Sequence, residues 1–131
     1  MKKILILALF FVILSPFAIA SDWFEIFEKQ YIDFSSIQIS PQTKTIKFWV
    51  KKLRTNPKEK FLGIDYWYAM NKWSISCSTR QSRIESVTIY DLKKQVIYSD
   101  DTIPEWNEIV PDTYAEGYYK ILCSRIFNKR N

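Results

Sequence analysis

The sequence contains no histidine, and this absence argues against several classes of protein. Histidine is the commonest general base of catalytic triads and acid–base sites, so its lack disfavours enzymes that use them. It is also a frequent zinc ligand, and two cysteines alone cannot complete a four-ligand zinc site. The chain has only two glycines and no glycine-rich phosphate-binding loop. We therefore predict no catalytic site, no metal site and no cofactor.

The first twenty residues have the order of a secretory signal. Two lysines precede an apolar run over residues 4–14, and small residues lead up to Ala20. A membrane-spanning helix needs about 20 apolar residues, whereas a serine and a proline interrupt this run. We predict a signal peptide over 1–20 with no stable membrane insertion after cleavage; an uncleaved N-terminal anchor is the alternative. The next residue is Ser21 rather than cysteine, so we expect no lipid anchor.

The remaining residues, 21–131, have the size of one domain. Aromatic residues make up 17% of the chain, with five Trp and eight Tyr, which favours a packed core over disorder. Without the two lysines of the signal, 17 basic residues face 14 acidic ones, a formal charge of about +3. Such a charge does not favour nucleic-acid binding. We predict one exported domain, located in the periplasm or at the cell surface.

Alternation of apolar and polar residues predicts an antiparallel sheet. The pattern is clearest over residues 43–54. Its inward set is Ile46, Phe48 and Val50, and its outward set is Lys47, Trp49 and Lys51. Further strands are predicted at 23–27, 30–33, 37–39, 73–77, 83–91 and 95–99, with turns at 34–36, 40–42 and 92–94. Residues 55–63 are predicted to form a mobile loop, and residues 65–71 fit either a strand or a helical turn.

After Pro111 the apolar period changes and predicts a helix. Thr113 and Glu116 have the spacing of a capping box at its start. One face of this helix would carry Ala115, Tyr119, Leu122, Cys123 and Ile126. Such an apolar stripe must be buried against another element, and the predicted sheet is the element available.

The two cysteines of an exported chain are expected to pair, with free thiols as the alternative. Cys77 alternates with the apolar residues of its strand, and Cys123 lies in the apolar face of the helix. A disulfide between them would tie the helix to the sheet. The predicted fold is therefore α+β: a five- to six-stranded antiparallel sheet with a C-terminal helix packed on one face and tied by a disulfide.

Seven positive charges fall within seventeen residues and form the main candidate binding feature. They are Lys44, Lys47, Lys51, Lys52, Arg54, Lys58 and Lys60. Trp49 is predicted to lie between the ammonium groups of Lys47 and Lys51 on an outward surface. Such a surface suits sulfated glycans, acidic protein segments or anionic lipid headgroups. The alternative is a solvated lysine-rich strand that discourages edge-to-edge aggregation.

Two other features bear on function. Residues 66–68 (Tyr-Trp-Tyr) form a candidate aromatic contact patch, with core packing as the alternative. Asp100 and Asp101 are adjacent carboxylates, and adjacent loop positions seldom converge on one substrate. We interpret them as solvated surface rather than as an acid–base pair.

An ordered set of short motifs spans residues 23–123. They are Trp23, Tyr31, Ile32, Asp33, Ser36, Trp49, Val50, Cys77, Trp106, Ile109, Pro111, Glu116 and Cys123. This ordered set resembles the surface-adhesin protein E family. The chain departs from the best-known member in lacking a lipid-anchoring cysteine, which leaves display at the cell surface open.

The resemblance implies a twisted antiparallel sheet with a C-terminal helix held by a disulfide. It also implies a non-enzymatic, adhesin-like protein of the bacterial envelope that binds host matrix or serum glycoproteins or glycans, with a homodimer as a further expectation. A periplasmic structural or accessory protein of unknown partner is the alternative, because a shared fold does not fix function. Haem binding would have to rest on tyrosine or methionine ligation or on stacking alone, since histidine is absent.

Overall fold

The computed structural model describes residues 20–128. The predicted signal peptide lies outside the described residues apart from Ala20, so its removal stays a prediction. The strands are β1 (Trp23–Phe27), β2 (Gln30–Ser40), β3 (Thr45–Leu53), β4 (Lys60–Phe61), β5 (Ile64–Ser76), β6 (Gln81–Asp91), β7 (Val96–Asp100) and β8 (Asn107–Glu108). The C-terminal helix comprises α1 (Tyr114–Tyr118), a π-helical turn (Tyr119–Cys123) and α2 (Ser124–Phe127).

Six strands form one sheet in the order β1-β2-β3-β5-β6-β7, and each neighbouring pair is antiparallel. The two-residue strands β4 and β8 pair with β5 and β6. The helix packs on one face of this sheet, and Cys77 is bonded to Cys123. The α+β architecture and the disulfide predicted from the sequence are confirmed.

Strand β2 runs through the turn predicted at 34–36. The pairing register with β3 shifts between Asp33 and Gln38, so the strand is irregular there without ending. The hydroxyl of Ser36 accepts a hydrogen bond from the backbone N–H of Trp49 at 3.0 Å. The Ser36 hydroxyl takes the place of the backbone carbonyl that would accept this bond in a regular ladder. Ser35 and Ser36 can therefore remain within the strand.

The segment left open at 65–71 belongs to β5, the longest strand of the sheet, with 13 residues. The prediction of a loop over 55–63 is wrong at its end, because Lys60 and Phe61 pair with Asp65 and Ile64 in a small hairpin. Its turn places Leu62 at φ 50° and Gly63 at φ 76°. Other strand turns also place non-glycine residues at positive φ, as a sequence with two glycines requires.

The core lies between the helix and the centre of the sheet. Its buried residues are Ile32, Ile46, Phe48, Val50, Ile75, Ile109, Tyr118, Leu122 and Cys123. The sequence predicted Tyr119 on the buried face, but Tyr118 is the fully buried tyrosine. On a helix, Leu122 shares a face with the residues three and four positions earlier, Tyr119 and Tyr118. In the structure Tyr118 is the one that is fully buried. Tyr119 is half-buried beside the core.

The start of the helix follows the predicted cap in part. The hydroxyl of Thr113 accepts a hydrogen bond from the backbone N–H of Glu116. The Glu116 carboxylate instead forms ion pairs with Arg80 at 3.0 Å and Lys120 at 2.9 Å. Within residues 20–128, no helix has the length and apolar character needed to cross a bilayer.

Candidate binding surface

The helix covers one face of the sheet, and no helix within residues 20–128 covers the other, which we call the open face. Antiparallel partners share a face, so the pairs Trp49–Lys72 and Lys51–Met70 lie opposite the core pair Phe48–Trp73. The open face is defined by Trp23, Tyr31, Asp33, Lys47, Trp49, Lys51, Tyr68, Met70, Lys72, Ser74, Arg83, Thr88 and Tyr90.

The predicted basic stretch does not form one patch. Lys47 and Lys51 lie on the open face with Trp49, whereas Lys52 pairs with Gln30 on the helix side. The remaining lysines are exposed beyond the two ends of β3: Lys44 at one end, Lys58 and Lys60 at the other. Strand β3 is about 30 Å long, so the two groups cannot contact one compact ligand.

Arg54 is committed to neighbours at the edge of the small hairpin. Its guanidinium forms an ion pair with Asp65 at 3.1 Å and lies 5.8 Å from the ring centroid of Tyr66. Burial, together with a hydrogen bond involving Glu59, raises the pKa of Tyr66 to about 12. Arg54 is therefore held by its neighbours in a structural cluster and is not a free cation on the surface.

An ammonium group lies between aromatic rings at the centre of the open face. Lys51 Nζ is 4.9 Å from the ring centroid of Trp23 and 5.3 Å from that of Tyr68. The sequence predicted a Trp49 ring between the ammonium groups of Lys47 and Lys51; these three residues share the open face, and the rings around Lys51 were not predicted. The flanking rings come from β1 and β5, so their approach depends on strand order and could not be read from β3 alone. Tyr68 in turn stacks on Tyr90 at 4.7 Å.

A buried carboxylate holds two cations at one end of the open face. Glu85 Oε1 accepts hydrogen bonds from the hydroxyl of Ser74 at 2.9 Å and from Arg83 at 3.2 Å, and lies 3.3 Å from Lys47 Nζ. Burial alone would raise the pKa of Glu85, but these partners outweigh it and hold the pKa below its usual range. Glu85 is therefore ionised at neutral pH and fixes both cations in place.

A second buried carboxylate, Asp33, lies beside Trp49. Its Oδ1 accepts hydrogen bonds from the backbone N–H of Asp22 at 2.9 Å and of Ser35 at 3.0 Å. Burial would raise the pKa of Asp33, yet the hydrogen bonds from Ser35 and Asp22 lower it overall. We interpret Asp33 as an anchor for the chain entering β1.

Three depressions lie side by side along β3 on the open face. The first, of about 340 Å³, is lined by Lys51, Leu53 and Trp67, and Trp67 is 40% exposed. The second, of about 320 Å³, surrounds Trp49. The third, of about 630 Å³, contains Lys47 and hydroxyl-bearing residues. Such a row of shallow sites suits an extended ligand better than a small enclosed one.

Sequence reasoning missed two of the cations on this surface, Lys72 and Arg83. Lys72 lies between the segment left open at 65–71 and the strand predicted at 73–77, and Arg83 belongs to a strand that neighbours β5, not β3. Within residues 20–128, no group of three or more Cys, Asp or Glu is arranged to hold a metal ion. The open face brings together fixed cations, aromatic rings and hydroxyl groups, which can form ionic, stacking and hydrogen-bond contacts.

Comparisons with known proteins agree with this fold. The model of the family described as Surface-adhesin protein E matches residues 23–124. The solved structure of Haemophilus influenzae protein E has a TM-score of 0.59 and 16% identity, and the match covers 88% of this chain and 94% of that one. Protein E from non-typeable Haemophilus influenzae has a TM-score of 0.53 and 16% identity, covering 83% and 80%. A search of curated proteins finds no match.

The match to the family model spans all eight strands and most of the C-terminal helix. The low identity to the solved structures shows a shared fold and no more. The family assignment supports an adhesin-like surface protein. This chain belongs to the surface-adhesin protein E family.

Proposed function

We propose that this chain is an exported, non-enzymatic, adhesin-like binding protein of the bacterial cell envelope, and that its open face binds anionic groups of host matrix or serum glycoproteins or of sulfated glycans. The family assignment supports the general role. One observation supports the surface: four cations, Lys47, Lys51, Lys72 and Arg83, share the sheet face opposite the helix with several aromatic rings.

The electrostatic balance of the open face favours an anionic partner. The carboxylates of Asp33 and Glu85 are 7% and 5% exposed, whereas the side chain of Lys47 is 37% exposed. Glu25, on the outer strand β1, accepts a hydrogen bond from the backbone N–H of Lys29. The charge that a partner meets at the centre is therefore positive, and a field of one sign steers oppositely charged ligands.

The aromatic rings add a contribution that salt does not screen. Trp23, Trp49 and Tyr68 are half-buried, so each presents part of its ring to the surface while the rest is packed. Aromatic rings supply large contact areas at little cost in side-chain entropy, as in antibody paratopes. A ligand that combines anionic groups with apolar or sugar-ring surfaces would use both features.

Salt-dependent retention on immobilised heparin and on matrix glycoproteins tests the surface. Lys51→Glu combined with Lys72→Glu should elute at clearly lower salt than the unchanged protein. The matched control, Lys58→Glu with Lys60→Glu, makes the same charge change on the exposed hairpin and should elute close to the unchanged protein after allowance for net charge. Equal losses in both variants would remove the open face as the binding surface.

Export and surface display require a separate experiment. If the chain is exported and displayed, mass spectrometry should find a mature chain that begins at Ser21, and protease added to intact cells should digest the protein. Survival of the protein on intact cells, with digestion after the outer membrane is opened, would support the periplasmic accessory role instead. The heparin result alone does not decide the compartment.

A further inference from the structure

We infer that the cleft at the Lys47 end of the open face binds a sugar that carries a carboxylate, as uronic and sialic acids do. Arg83 and Lys47 would take the carboxylate, and Trp106 would pack against the sugar ring. The inference rests on the proposed function and assigns one ligand class to one place on the binding surface.

The cleft is the third depression of the open face, and its volume of about 630 Å³ is large enough for one sugar unit of an extended glycan. Its lining is dominated by hydroxyl groups, from Ser40, Thr43, Thr45, Ser76, Ser78 and Thr79. Some of these hydroxyls donate to one another, Thr43 to Thr45 at 3.0 Å and Thr79 to Ser76 at 2.7 Å. Each hydroxyl oxygen has two acceptor lone pairs, and its proton can rotate from a neighbour to a ligand. A lining of this kind matches the hydroxyl groups of a sugar, which also donate and accept.

The two cations of the cleft are ordered before any ligand arrives. Glu85 lies beneath them and is 5% exposed, while the side chains of Lys47 and Arg83 are 37% and 22% exposed. Each cation has more N–H donors than the single carboxylate oxygen can accept. Ligand binding therefore costs little side-chain entropy, because the cations are already fixed. Arginine also matches a carboxylate in geometry, with two parallel N–H donors.

Trp106 completes the cleft from the segment before β8. The guanidinium carbon of Arg83 lies 4.3 Å from the centroid of a Trp106 ring, a distance typical of a cation–π contact. This contact holds the indole at the cleft wall, where it remains half-buried. A rigid aromatic wall beside hydroxyl groups and a fixed cation pair gives three different contacts to one pyranose ring.

An acidic peptide is the competing class of ligand. Its carboxylate could meet the same cations, but an aspartate or glutamate side chain has no hydroxyl groups to pair with those that line the cleft. A sugar acid satisfies the cations, the hydroxyl groups and the indole together. The structure therefore favours the sugar, and the peptide serves as a comparison in the test.

Nuclear magnetic resonance titration of the ¹⁵N-labelled protein tests the inference. Glucuronate should cause a saturable shift of the Trp106 indole N–H signal, assigned through Trp106→Phe. Glucose and an Asp-Glu dipeptide should bind at least ten times more weakly. Arg83→Lys, which keeps the charge over Glu85, should weaken glucuronate binding about tenfold, the effect of about 1.4 kcal/mol. Leu92→Ala, on the turn between β6 and β7 and 57% exposed, should leave it unchanged.

The outcomes separate this inference from the proposed function. No shift at Trp106 with glucuronate or sialic acid, while heparin retention still depends on Lys51 and Lys72, would overturn the cleft assignment alone. Binding of the dipeptide as tightly as glucuronate would overturn the sugar class. A saturable shift at Trp106, together with heparin retention that does not change when Lys51 and Lys72 are replaced, would support the cleft assignment and contradict binding across the wider open face.

Discussion

The hydroxyl of Tyr118 donates a 2.5 Å hydrogen bond to Oε1 of Gln30, 88 positions earlier in the chain. Both residues are buried. Burial raises the pKa of Tyr118, so the hydroxyl keeps its proton and remains a donor. The tyrosine ring also meets Phe48 and Trp73 edge-on, with centroids 5.5 Å and 5.2 Å apart. One residue thus fixes the helix to β2 by a polar bond and to β3 and β5 by packing.

Tyr118→Phe should lower the free energy of unfolding by about 1–3 kcal/mol, because the ring stays while Gln30 Oε1 loses its partner in the core. Urea unfolding followed by tryptophan fluorescence measures the change. Heparin retention should not change, since the bond lies on the helix side of the sheet. An unfolding free energy equal to that of the unchanged protein would mean that the bond does not stabilise the helix–sheet contact.

The close approach of Gly117 to Phe27 makes a second prediction. A Cβ atom at Gly117 would lie 2.2 Å from Cζ of Phe27, so the ring must move. Gly117→Ala should destabilise the protein by about 1–3 kcal/mol despite the higher helix propensity of alanine. Combining it with Phe27→Leu should recover part of the loss relative to the sum of the single changes. Additive effects in urea unfolding would contradict the contact.

Removing the disulfide should have the largest effect on stability. The bond joins residues 46 positions apart, and the loop-closure model gives about 4 kcal/mol for a loop of that length. Cys77→Ala with Cys123→Ala, measured by chemical unfolding, should lose a large part of the stability of a small domain. Reduction of the unchanged protein should have an effect of similar size. Equal stability with and without the bond would contradict its structural role.

Acid should weaken the protein partly through Glu85. Its pKa is lowered in the folded state from an ordinary value of 4.5, so the folded protein holds this proton less tightly than the unfolded chain. The stabilisation is complete above the ordinary pKa and is lost as pH falls through the lowered one. Glu85→Gln should therefore show a shallower decline of stability between about pH 5 and pH 3. Parallel declines for the two proteins would contradict this assignment.

The sequence predicted the parts of the fold that depend on local pattern. Strand β3 alternates cleanly, so the shared face of Lys47, Trp49 and Lys51 could be read directly. The faces of β5 could not be assigned in this way, because three consecutive aromatic residues at 66–68 hide the alternation. The register with β6 also shifts between Tyr66 and Tyr68, which changes which of these rings share a face.

The cations of the candidate site depend on contacts between strands, and these are not encoded by spacing along one strand. Lys72 reaches the open face because β5 pairs with β3 in a register that sets it beside Trp49. Glu85 is the extra residue of an irregularity in β6. Alternation places it on the same face as Arg83, two positions earlier, but its position under Lys47 depends on how β6, β5 and β3 pair. The basic stretch is continuous in the sequence, but in the structure its residues are distributed over the two faces and beyond the two ends of β3.

Amide chemical-shift mapping with a heparin tetrasaccharide locates the bound ligand on the protein without any mutation. Binding at the open face predicts shifts concentrated at Trp49, Lys51 and Lys72, with the helix residues Tyr114–Phe127 unaffected. Shifts confined to the helix side of the sheet, or to the exposed hairpin around Lys60, would contradict it.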